Sequence, residues 1–110
     1  MKIGVIGAKN IHIPKIGRYL VEADEIITGG KRGAGYCAAD FARKSGIPLT
    51  EIVPQMKKYD RAARAVSHRW IIDLADLTLI FWDFRDKETK AAIRYAEQSG
   101  KAYEIIYRLP

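Results

Sequence analysis

A single cysteine, Cys37, is all this chain carries, so no internal disulfide is possible and the fold has to stand without covalent staples. Its surroundings, Gly35-Tyr36-Cys37-Ala38-Ala39, read as the buried side of a helix. A small core thiol in a reducing, cytoplasmic setting is expected there rather than a nucleophile. Histidine is scarce too. His12 and His68 are far apart and have no cysteine or carboxylate at ligand spacing, which argues against a transition-metal site; no cofactor is expected. Long apolar runs are missing, the longest being short stretches such as Leu79-Ile80-Phe81-Trp82. That excludes a membrane-spanning helix and a membrane partner. The opening Met1-Lys2-Ile3-Gly4-Val5-Ile6-Gly7 has no secretory-signal pattern and goes directly into a strand. Repeats, linkers and low-complexity segments are absent as well.

What remains is a chain of 110 residues, 48% hydrophobic, enough for one core and one domain over 1–110. The formal charge of +6 favours anionic partners, although its placement matters more than its sum. Strands are expected at Lys2 to Gly7, Glu25 to Thr28, Leu49 to Val53, Leu77 to Trp82 and Ala102 to Tyr107, each short and rich in β-branched or aromatic residues. Helical spacing falls between them. Pro14 opens a first helix carrying Ile16, Tyr19, Leu20 and Ala23, and Ala34 to Ser45 forms a second. Tyr59 to Ala75 forms a third, and Lys87 to Gln98 a fourth with Gly100 as its cap. Strands alternating with single helices predict an α/β, Rossmann-like three-layer sandwich, with about five mostly parallel strands and helices on both faces.

In such a sheet, ligands bind at the carboxyl ends of the strands, near the reversal of strand order. Four loops qualify. The first starts at Gly7. The second, Gly29-Gly30-Lys31-Arg32-Gly33, is the most informative: glycines permit close backbone approach, a helix N-terminus follows, and Lys31 and Arg32 add cationic side chains suited to phosphate. A tight turn with solvated charges has the same composition. The third loop offers Tyr59 to pack on a base or ribose and Arg61 to face phosphate, whereas Arg64 reads better as part of a solvated helix face. In the fourth, Asp83 ends a strand where a carboxylate accepts hydrogen bonds from ribose hydroxyls; capping the next helix is the alternative, a task open to Asp86 or Thr89. Trp82 is either core or a stacking platform.

Together, Ile26-Ile27-Thr28-Gly29-Gly30-Lys31-Arg32-Gly33-Ala34, Tyr59-Asp60-Arg61-Ala62-Ala63, Ala75-Asp76, Phe81-Trp82-Asp83 and Thr89 resemble the YspA-related branch of the SLOG superfamily. The resemblance runs along nearly the whole chain. It implies a Rossmann-like fold, a nucleotide or nucleotide-derived ligand, and dimerisation, with Gly29, Gly30, Arg32, Gly33, Tyr59, Arg61, Asp83 and Thr89 as ligand-site positions. Relatives in the superfamily include the LOG phosphoribohydrolases and the DNA-processing protein DprA. Several positions depart from the pattern. Gly35 replaces an acidic residue, Ser67-His68 replaces an arginine-asparagine pair, and Asp60, Phe84 and Glu88 stand where glycine is usual. Ala92 occupies the place of the LOG catalytic glutamate, so hydrolysis is disfavoured unless Asp83 or Glu88 substitutes as the acid or base.

The expected function is therefore binding or sensing of a nucleotide or ADP-ribose-like small molecule. The alternatives are hydrolysis of a nucleotide N-glycosidic bond and, less favoured, DprA-like nucleic-acid binding. Self-association through the apolar face of the third helix that includes Trp70 is expected alongside, with burial of Trp70 in the monomer core as the equal alternative.

Overall fold

The computed structural model describes residues 1–29 and 32–108, the side chain of Arg61 excepted. Five strands form one parallel sheet: β1 (Lys2–Gly7), β2 (Glu25–Thr28), β3 (Leu49–Glu51), β4 (Leu77–Trp82) and β5 (Tyr103–Tyr107), in the order β3-β2-β1-β4-β5. Chain order therefore reverses between β1 and β4, which pair from Ile3 opposite Leu77 to Gly7 opposite Phe81. Parallel strands covered on both faces need apolar residues at nearly every position. In β1 and β4 the four inner positions are all buried.

Successive residues point to opposite faces, and the core splits accordingly. Ile3, Val5, Ile26, Leu79 and Phe81 pack on one side with α1 (Gly33–Ser45), through Ala34, Ala38 and Ala42. Ile6, Ile27 and Ile80 pack on the other side against Ile71, Ile72 and Ala75 of the α3 (Ala63–Leu74) region and Ala92 and Ala96 of α4 (Lys87–Gln98). The three-layer α/β arrangement is thus the one expected from the sequence. Alanine on α1 and α4 keeps the helices close to the sheet. Gly46, left-handed at φ 70°, ends α1. Ser99 caps α4, and the left-handed Gly100 follows it.

Two elements depart from expectation. The segment after Pro14 is not an α-helix but one 3₁₀ turn, Ile16–Tyr19. Its Ile16 and Leu20 are buried, as are Ile11 and Ile13 just before Pro14, so the helical spacing is used by an irregular buried loop. At Gly17 the backbone also lies against the Phe41 ring, leaving no room for a side chain. The predicted third helix is broken into a short α2 (Met56–Tyr59), a 3₁₀ turn (Asp60–Ala62) and α3. The break is at Asp60, whose φ of 51° and ψ of −122° are incompatible with helix. Among the described residues, no helix is long and apolar enough to cross a membrane.

Candidate functional site

Gly7, Gly29, Glu51 and Asp83, at the carboxyl ends of the first four strands, border one open crevice of about 1390 Å³. It spans the reversal between β1 and β4, where an open α/β sheet leaves a gap because neighbouring crossovers depart to opposite faces. One wall is a stripe of α1 and its N-cap: Arg32, Tyr36, Ala39 and Arg43, spaced four, three and four residues apart and so on one helix face. The facing wall is Arg64, Ser67 and His68 of α3, together with Arg85, Asp86 and Glu88.

The second loop enters this crevice under close packing. Gly33 has a φ of 73°, and a Cβ there would run into the carbonyl oxygen of Ala8 and press on Lys9. A Cβ on Gly29 would strike the carbonyl oxygen of Ile52, whose amide donates to Thr28 at 2.7 Å. These glycines are therefore required by the approach of neighbouring loops, in addition to bordering the crevice. At Gly35, where the resemblance expects an acid, a Cβ would meet Thr28 Oγ1 at 2.7 Å, so no larger residue fits. Arg32 caps α1 in extended conformation without a side-chain bond, and the first turn of α1 contains no acid. Its amides keep the positive end of the helix dipole uncompensated by any side chain. Gly30 and Lys31 lie outside the described residues, as does the side chain of Arg61.

The fourth loop is organised by two carboxylates. Asp83 is buried and its Oδ1 accepts from the amides of Arg85 and Asp86, each at 2.8 Å. The amides of Asp86 and then Arg85, with the Asn10 side chain adding to them, hold the Asp83 carboxyl below the usual carboxylate range. Asp86 caps α4, accepting from the Thr89 amide at 3.0 Å and from the Thr89 hydroxyl. Thr89 is fully buried and its hydroxyl is spent on this cap; it does not border the crevice. The same holds for Tyr59, half-buried under the ammonium of Lys58, 5.2 Å from its ring centroid.

Arg64, expected as part of a solvated helix face, stays partly exposed while bordering the crevice, with Glu88 at 3.6 Å. Arg43 likewise pairs with Glu51 at 2.6 Å. Lys9, Arg32 and Arg85 make no ion pair with a described carboxylate, and the crevice lining as a whole carries five cationic side chains against four carboxylates. Trp82 is half-buried, donates from its indole to the Asp86 carbonyl at 3.2 Å, and leans on Phe84 and Tyr107 away from the crevice. Phe84, at φ 71°, stacks on Tyr107 at 4.5 Å. The side chain standing where glycine was expected is thus turned out of the crevice. Ala92 is buried among core residues and does not border the crevice.

His68 was missed as a site residue. It borders the crevice, and its Nδ1 is buried without a hydrogen-bond partner. Burial is the main influence on it, pushing the imidazole below its ordinary 6.5 against the opposing pull of Glu88 and Asp86. A signal existed: His68 lies four residues after Arg64, on the same helix face. His12, read as isolated, has its Nδ1 3.4 Å from Cys37 Sγ. The Cys37 sulfur also accepts from the Ile13 amide at 3.4 Å, tying the first crossover to α1. Among the described residues no three His, Cys, Asp or Glu side chains gather as metal ligands. No protein-family model matches the chain, and a search of curated proteins finds no match either.

Proposed function

We propose that this domain binds a phosphate-bearing, nucleotide-like small molecule in the crevice and does not break it down. The observation that carries this reading is the meeting, at the sheet's reversal point, of an uncapped helix N-terminus with Lys9, Arg32 and Arg85, three cations without described acidic partners. A phosphate there would gain amide hydrogen bonds and bidentate guanidinium contacts. The carboxylates argue against acid catalysis: Asp83 and Asp86 accept from backbone amides, and Glu88 pairs with Arg64. The Asp83 carboxyl, held below the usual range by those amides, is ill suited to donate a proton to a leaving group.

Thermal-shift measurement against a panel of nucleoside mono- and diphosphates tests the reading. A ligand at a hundred times its Kd adds about 2.7 kcal/mol, an upward shift that Arg32→Ala removes while leaving the ligand-free melting point in place. No shift with any phosphate compound at millimolar concentration refutes it. A second reading, N-glycosidic hydrolysis, draws on one observation, the unpartnered His68 Nδ1 beside the crevice. Release of free base from a nucleoside monophosphate, lost in His68→Gln, would put it first. Self-association belongs to the same proposal, since Trp70 and Leu74 lie exposed on α3; sedimentation at graded concentrations tests it.

A further inference from the structure

The basic residues that look scattered along the sequence are partly gathered by the fold. Apart from the crevice, a smaller concavity of about 450 Å³ runs between α3 and α4, bordered by Arg69, Lys87, Lys90, Arg94, Tyr95 and Gln98. Four cations surround it and no carboxylate borders it. Lys87, Lys90 and Arg94 follow at intervals of three and four residues, so they share one face of α4. That face is the one left outward when Thr89, Ala92 and Ala96 turn into the core. Arg69 is set in place from α3, its guanidinium 5.5 Å from the centroid of the Tyr95 ring. Tyr95 is itself anchored by its hydroxyl donating to Asp73 at 2.7 Å. Arg43, Lys44 and Arg64 elsewhere have carboxylate partners within 4 Å; among the described residues these four have none.

Like charges collected on a concave surface repel one another and cost stability unless a counter-charge fills the space. From Lys87 to Arg94 the cations extend about 10 Å at 1.5 Å per residue, a length suited to successive phosphates of one strand and too short for a duplex footprint. Arginine carried on an aromatic ring adds a planar donor for phosphate oxygens. We propose that the α3–α4 groove binds the phosphate backbone of single-stranded nucleic acid, independently of the crevice and of whatever small molecule occupies it.

Fluorescence anisotropy with a labelled oligothymidylate of about 20 nucleotides decides the matter through its salt dependence. Four phosphate contacts on a single strand give a slope near −2.8 in log K against log salt, hence about a 50-fold loss of affinity from about 50 to 200 mM salt. Lys90→Glu with Arg94→Glu leaves two contacts, weakens binding at low salt at least tenfold, and reduces that loss to about 7-fold. Lys87→Gln with Lys90→Gln repeats the test with neutral, isosteric-length side chains should charge reversal disturb folding, and Arg32→Ala leaves binding within about twofold. Absence of binding at low salt overturns the proposal. So does an unchanged slope in both double variants, a loss with Arg32→Ala equal to theirs, or tighter binding of duplex than of single strand. Capture of inorganic polyphosphate without capture of the oligonucleotide would overturn it as well.

Discussion

Replacing Asp60 by glycine is expected to stabilise the protein although it removes a side chain and adds no contact. Asp60 has φ 51° and ψ −122°, the conformation of the first central residue of a type II′ turn, which glycine adopts freely and L-residues do not. Left-handed backbone costs a non-glycine residue roughly 1–2 kcal/mol, and the greater freedom of glycine in the unfolded chain returns about 0.5–1 kcal/mol of that. The net gain for Asp60→Gly is about 0.5–1 kcal/mol, or roughly 2–5 °C in melting temperature for a domain of this size. Phe84, at φ 71°, supplies the internal control. Phe84→Gly relieves similar strain but forfeits the stacking on Tyr107, worth about 0.5–1.5 kcal/mol, and comes out near neutral. Phe84→Ala forfeits the ring and keeps the strain, so it falls below the glycine variant by about 1 kcal/mol. Calorimetry or chemical denaturation of the three variants measures the order. If alanine equals or exceeds glycine at position 84, and Asp60→Gly lowers the melting point, the positive-φ account of both positions is wrong.

Two further outcomes concern the crevice. Gly33→Ala drives a methyl group into the Ala8 carbonyl at a left-handed position and should cost more than about 2 kcal/mol by denaturant titration; wild-type stability would mean that the two loops are not in contact. Because burial lowers the His68 pKa, the unfolded chain takes up this proton first as pH falls. Stability contributed by the neutral ring is complete above the ordinary 6.5 and is lost as pH drops below it toward the folded value. His68→Gln should flatten that acid limb, and an NMR titration midpoint at or above 6.5 would refute the assignment.

The parts of the fold that could be read directly were those where a local pattern and the tertiary demand coincide. β1, β4 and α4 lie at the residues their apolar runs and helical period indicate, because burial on two faces or on one stripe leaves no other arrangement. The first crossover escaped because Pro14 and a cluster of isoleucines suit a helix start and an irregular buried loop equally well. The segment packs its Gly17 backbone against the Phe41 ring, a contact between segments far apart in sequence that a local pattern does not report. The break at Asp60 had a pointer in the glycine usual at that position, as at Phe84, but the helical period running on both sides of it outweighed that pointer. At the site, glycine and strand-end positions were legible from loop chemistry, and Gly7, Gly29, Arg32 and Asp83 do border one crevice. Tyr59 and Thr89 do not, since a hydroxyl or a ring beside a loop can be consumed by a cap or a neighbouring lysine. His68 and the outward stripe of α1 went unread because walls are built from faces of elements, whereas motifs are read from their ends.

The crossover from β1 to β2 is secured in an unequal way. Its isoleucines sit in the core as firmly as any helix residue, but its amides rely on isolated turns and, at Ile13, on a cysteine sulfur. Packing there is strong where hydrogen bonding is sparse. Solvent deuterium should enter this segment well before the strands it joins, and a bulky adduct on the Cys37 thiol would take away an acceptor that no neighbouring ladder replaces.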